Sequence, residues 1–123
     1  MKDALAHFRQ TLQAKPGFSD TLAFIDAHFE FTPTAFTNHV LMNQANENQG
    51  SCRVIALAKY AGFSDEEALL AFGEHYRHVR SNPSGNNHAN IRTLMEYGLA
   101  SVSFEHFPLT AKQEAMSMSD SVE

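Results

Sequence analysis

The apolar residues of this chain recur at helical spacing and never run for more than five in a row, and that pattern limits what the chain can fold into. Its longest apolar runs, Val54 to Ala58 and Ala68 to Phe72, fall far short of the roughly 18 residues a membrane-spanning helix requires. Leu5, Phe8 and Leu12 share one helical face ahead of Pro16-Gly17. Ser19 is a good N-cap for a second helix burying Leu22, Ile25 and Phe29, which Phe31-Thr32-Pro33 interrupts. A third helix is expected over 51–61, with Val54, Leu57, Ala58 and Ala61 inward and Gly62 past its end. Ser64-Asp65-Glu66-Glu67 is a capping box, and the helix it opens is expected to reach Val79 with Leu69, Phe72, Tyr76 and Val79 on one face. Gly73 inside that helix costs about 1 kcal/mol relative to Ala, which points to something packing closely against it. A fifth, short helix carries Ile91, Leu94 and Met95 and ends at Gly98.

Strand character is confined to two stretches. Thr34 to Met42 is rich in β-formers, and Ala100, Val102 and Phe104 alternate with Ser101, Ser103 and Glu105. Between the first strand and the third helix, Asn43 to Gly50 is polar and aperiodic, a long loop of the kind that often carries function. The resulting expectation is an α+β fold, a helix-rich single domain with about five helices packed on a small sheet; a small barrel-like α/β sheet is the alternative. The domain is expected to occupy residues 1–108, with 109–123 a frayed C-terminal tail.

Nine Lys and Arg against fourteen Asp and Glu leave a formal charge of −5. Base gathers only at Arg77, Arg80 and Arg92, too little for the stripe that neutralises phosphates, so no nucleic-acid partner is expected. A single cysteine leaves no internal disulfide, and the N-terminus carries an early acid and no apolar signal segment. A cytoplasmic protein that neither enters a membrane nor carries a cofactor is the expectation; its oligomeric state is left open.

Chemistry-bearing residues gather at three places. Cys52 follows Gly50-Ser51 at a helix start, where unpaired N–H groups favour a thiolate; a small buried residue plugging the helix start is the plainer reading. His88, with Asn90 two residues on, sits in a Gly/Asn turn ahead of a helix. Together Cys52 and His88 supply the raw material of thiol catalysis, while the structural alternative makes His88 and its Asn neighbours caps. Glu74, Tyr76 and Arg77 beside Gly73 either line a polar pocket, with Arg77 facing a carboxylate, or form an internal salt bridge. The adjacent His75 and His78 have metal-ligand spacing, but Arg77 and Arg80 repel a cation, and a solvated helix face is expected with no metal.

Three stretches in combination resemble the HopJ type III effector proteins. They are Phe31-Thr32-Pro33-Thr34-Ala35-Phe36-Thr37-Asn38, Asn48-Gln49-Gly50-Ser51-Cys52, and Phe72-Gly73-Glu74-His75-Tyr76-Arg77 followed by the run Asn82 to Arg92. The resemblance extends from about Ser19 to Phe104, and it departs from the family pattern at Gln49, His75, Ser84 and Asn87, where Glu, Tyr, Asp and Asp are typical. It implies Cys52, Glu74, Tyr76, Arg77, His88, Asn90 and Arg92 as shared positions, without implying a reaction. The family name implies delivery into a host cell, but the opening residues lack the Ser-rich stretch typical of delivered proteins, with no Ser before Ser19. The sequence therefore supports a small-molecule or thiol-dependent site around Cys52 and His88, or a non-enzymatic domain that binds a protein.

Overall fold

In the computed structural model, which describes residues 1–112, six helices enclose a core and carry two small antiparallel sheets on their flanks. The helices are α1 (Lys2–Thr11), α2 (Phe18–His28), α3 (Gln49–Ala61), α4 (Asp65–Leu70), α5 (Glu74–Ser81) and α6 (Ala89–Tyr97). The strands are β1 (Phe29–Phe31), β2 (Phe36–Asn38), β3 (Leu41–Asn43), β4 (Val102–Phe104) and β5 (Leu109–Ala111). The fold is α+β, as expected. The two sheets are separate and open, β1-β5 and β3-β2-β4, so they do not close into a barrel.

Buried Cys52, Val54, Ile55, Leu57 and Ala58 run along α3 at the centre of the core. Aromatic pairs surround it: Phe8 stacks on Phe24 at 4.6 Å, and Phe18 lies 6.3 Å from Phe72. Such offset pairs each contribute about 0.5–1.5 kcal/mol beyond the area they bury.

The single strand expected over 34–42 is a hairpin. His39 takes a left-handed conformation (φ 59°), turning the chain so that β2 and β3 pair with Phe36 opposite Asn43. β2 pairs with β4 on its other side, Phe36 opposite Phe104. Leu109–Ala111, expected to belong to a frayed tail, instead pairs with β1, and Leu109 is buried. The rest of the segment expected to fray, residues 113–123, lies outside the described residues.

The long helix expected from Ser64 to Val79 is two. The capping box forms, with Ser64 Oγ accepting from the Glu67 N–H and Glu67 Oε1 accepting from the Ser64 N–H. α4 nevertheless stops at Leu70. Gly73 adopts φ 63°, ψ −132°, a conformation open essentially to glycine, and restarts the chain as α5. The close packing expected at Gly73 is present: a Cβ there would lie 2.4 Å from the Phe18 nitrogen and 2.9 Å from the Pro16 carbonyl oxygen. α2 likewise begins earlier than Ser19, with Gly17 as N-cap and its N–H held by Asp20 Oδ2 at 2.9 Å.

Candidate functional site

A cleft of about 370 Å³ opens where α2, β3, α3, α5 and α6 meet. Its walls include Phe18, Asn48, Gly50, Ser51, Phe72, His75, His88 and Asn90, and its volume lies at the lower end of the roughly 300–1,000 Å³ typical of ligand pockets. Two helix starts line it. α3 contributes its N-cap Asn48 with Gly50 and Ser51, and α6 contributes its N-cap His88 with Ala89, Asn90 and Ile91. Both N-caps are left-handed, at φ 52° for Asn48 and φ 54° for His88, and neither makes a side-chain cap hydrogen bond. The N–H groups of a first helical turn have no partner within their own helix, so two partially positive helix ends converge on one cleft.

His88 is the centre of a cluster. Its ring centroid lies 5.0 Å from that of His75 and 5.7 Å from that of His78. Burial, the two neighbouring imidazoles and Arg92 together hold its pKa below the ordinary histidine value of 6.5. The expected position of His88 before α6 is correct, but its side chain does not cap the helix. The ring belongs to the cleft wall instead.

Cys52 does not join it. α3 begins at Gln49, so Cys52 is the fourth helical residue, and its N–H already bonds the Asn48 carbonyl at 3.0 Å. It therefore sits past the positive tip of the helix, facing the core with its side chain fully buried. Burial pushes the thiol up to about 12, with Arg53 opposing only in part. The expected thiolate is corrected: the gain from the helix end is lost to desolvation. Gly50 and Ser51 line the cleft; Cys52 is not among the residues that do.

The string from Gly73 to Arg77 forms no Glu74–Arg77 salt bridge and, His75 apart, stands outside the cleft; Gly73, Tyr76 and Arg77 line a separate pocket with Pro16 and Glu66, and Glu74 and Arg77 border another with His78 and His88. Glu74 Oε1 accepts the Phe18 N–H at 2.8 Å, and that bond chiefly lowers the carboxyl's pKa. Arg77 Nη1 donates to the Pro16 carbonyl at 3.3 Å, and Tyr76 points inward, buried, with Arg80 over its ring. These residues clamp α5 to the Pro16–Phe18 bend, which positions Phe18 in the cleft wall.

Asn90 and Arg92 are also committed. Buried Asn90 accepts from Asn38 Nδ2 (3.1 Å) and Asn43 Nδ2 (3.4 Å), and it donates to Asn43 Oδ1 (3.0 Å), which also accepts from Asn48 Nδ2 (2.8 Å). This asparagine network ties β2, β3 and the start of α3 to the start of α6, fixing the two helix ends that face the cleft. Arg92 holds the 82–87 loop through Asn87 O (2.6 Å), Asn87 Oδ1 (2.8 Å) and Asn82 O (3.0 Å). Sequence reasoning missed Asn38, Asn43, Asn48 and Phe18 as parts of the site. The density of Asn in 38–48 was the available signal, but which amides meet depends on the hairpin at His39.

A crystal structure of the unknown-function protein VPA0580 superimposes on this chain with a TM-score of 0.82 at 40% identity, covering 87% of this chain and 92% of that one. No curated protein matches the chain. The model of the HopJ type III effector protein family matches residues 5–109, a span that contains both helix starts, the histidine cluster and the α5 clamp. The chain belongs to the HopJ type III effector protein family.

Proposed function

We propose that this domain binds a small molecule carrying an anionic group, such as a carboxylate or phosphate, in the cleft between the starts of α3 and α6, without using the thiol. The observation that carries this reading is the convergence of two uncapped first turns on one cleft walled by His75 and His88. Helix ends attract anions because their N–H groups point outward along an aligned dipole. The remaining wall, Phe18, Leu41, Phe72 and Ile91, gives an apolar surface for the body of such a ligand.

The test is an amide NMR titration of the protein with acetate, inorganic phosphate and a phosphorylated sugar. Saturable shifts are expected at Gly50, Ser51, Ala89 and Asn90. Shifts scattered over the surface, or none in the millimolar range, would sink the reading.

A second reading, docking of a protein partner, draws on Val40 (80% exposed) in the hairpin turn and Met42 (72% exposed) on β3, an edge strand, which together bare apolar surface. Replacing both with Thr tests it, because the NMR titration would be unchanged while any protein association would be lost.

A further inference from the structure

We propose that anion binding in this cleft is coupled to proton uptake by the histidine cluster, so that the site holds its ligand in mildly acidic solution and releases it as pH rises. The proposal rests on the anion-binding reading above and concerns how that site is regulated.

The arrangement of charge around His88 is one-sided. From α5 it meets His75 and His78, and from α6 it meets Arg92. Glu74 and Arg77 are the other charged groups bordering this side of the cluster. Glu74 has one oxygen on the Phe18 N–H and the other 4.0 Å from His75 Nε2, while Arg77 reaches the Pro16 carbonyl. The cleft residues supplied by α2, β3 and α3 (Phe18, Leu41, Asn48, Gly50 and Ser51) are uncharged. Among the described residues, therefore, no carboxylate pairs with the His88 ring to balance a second ring proton.

His78 is committed elsewhere. Arg92 has only donors, so Asn87 must turn its oxygen to Arg92 Nη2 (2.8 Å) and its NH₂ to His78 Nε2 (3.2 Å). Both ring nitrogens of His78 thus face asparagine amides, Nε2 that of Asn87 and Nδ1 that of Asn82 (3.5 Å).

That leaves the pair His75 and His88 at the cleft wall. In the empty site a charged His88 faces burial, two imidazoles, Arg92 and the positive ends of two helices. An anion seated between those helix ends supplies the missing opposite charge. The proton that solvent gives up on binding then goes to His88, whose charged form the anion offsets. Each unit by which binding raises a pKa allows up to about tenfold tighter binding on the acid side.

Sulfate is a suitable probe because it does not itself titrate between pH 5 and 8. Isothermal titration calorimetry of the whole chain at pH 5.5 and 8.0, in buffers of different ionisation enthalpy, reads both affinity and protons exchanged. The expected result is at least about tenfold weaker binding at pH 8.0, with net proton uptake near neutrality. The variant His88→Asn keeps a residue that tolerates the left-handed backbone, and it should bind sulfate with little pH dependence and little proton uptake. Equal affinity at both pH values with no dependence on buffer enthalpy would overturn the coupling and leave the anion cleft standing. No sulfate binding at either pH would overturn the cleft reading and the coupling with it.

Discussion

Replacing Gly73 by Ala should destabilise the protein by about 3–5 kcal/mol, although the same substitution inside a helix would stabilise it by about 0.5–1 kcal/mol. The backbone at φ 63°, ψ −132° is strained for any residue with a Cβ, at a cost of about 1–3 kcal/mol. The added carbon would also lie 2.4, 2.7 and 2.9 Å from backbone atoms of Phe18, Gly17 and Pro16, which cannot rotate aside as a side-chain tip could. Relieving that contact means moving the Pro16–Phe18 bend, at an overpacking cost of about 1–3 kcal/mol, and it loosens the Glu74 and Arg77 contacts to the same bend. Measured by urea unfolding, the midpoint should fall with little change in slope, and the thermal midpoint should drop by roughly 10–20 °C. A loss below about 1 kcal/mol, or a gain, would refute the reasoning, because it would mean that α4 and α5 join into the continuous helix that periodicity alone suggests.

Other expectations follow from the same contacts. Cys52 should resist an alkylating reagent at pH 8 until the protein unfolds, since with the thiol at about 12 only about one molecule in ten thousand is ionised there; rapid native-state labelling would contradict its burial. Because the pKa of His88 is depressed in the folded state, the unfolded chain binds the extra proton first. Stability should be full above about pH 6.5 and fall as pH drops through the folded-state value, a slope that His88→Asn reduces in urea midpoints taken at pH 7.5 and 5. Asn90→Ala removes three side-chain bonds in a buried network and should cost about 2–4 kcal/mol in urea unfolding, with a cost under 1 kcal/mol arguing that the network is not continuous. Arg92→Lys keeps the charge but loses the planar fork, so amide exchange at Gly85 should quicken while global stability changes by less than about 1 kcal/mol.

Much of this fold is legible in the order of residues, and the failures have physical causes. α1 and α6 follow their apolar spacing, and the Ser64 capping box forms because its partners lie three residues apart on the same chain. The break at Gly73 was invisible to periodicity, since Leu69, Phe72, Tyr76 and Val79 face the core on either side of it. What breaks the helix is the backbone of Pro16–Phe18, more than fifty residues away. The same holds for Cys52. A shift of two residues in the start of α3 carries the thiol from the positive helix tip into the core. His88 is legible as a site residue from its turn, but spacing makes its partners His75 and His78 a solvated face, because only the packing of α5 beside the start of α6 brings the three rings together. For Glu74, Tyr76, Arg77, Asn90 and Arg92 the sequence marked important positions without revealing that their work is to hold the cleft in shape.

The most direct check of the anion-binding claim is a crystal soaked in low-millimolar selenate, with the anion located by its anomalous signal. The account predicts a peak within hydrogen-bonding reach of the first-turn amides of α3 and α6 and beside the His88 ring. A cleft left empty while selenate gathers at other surfaces would contradict it.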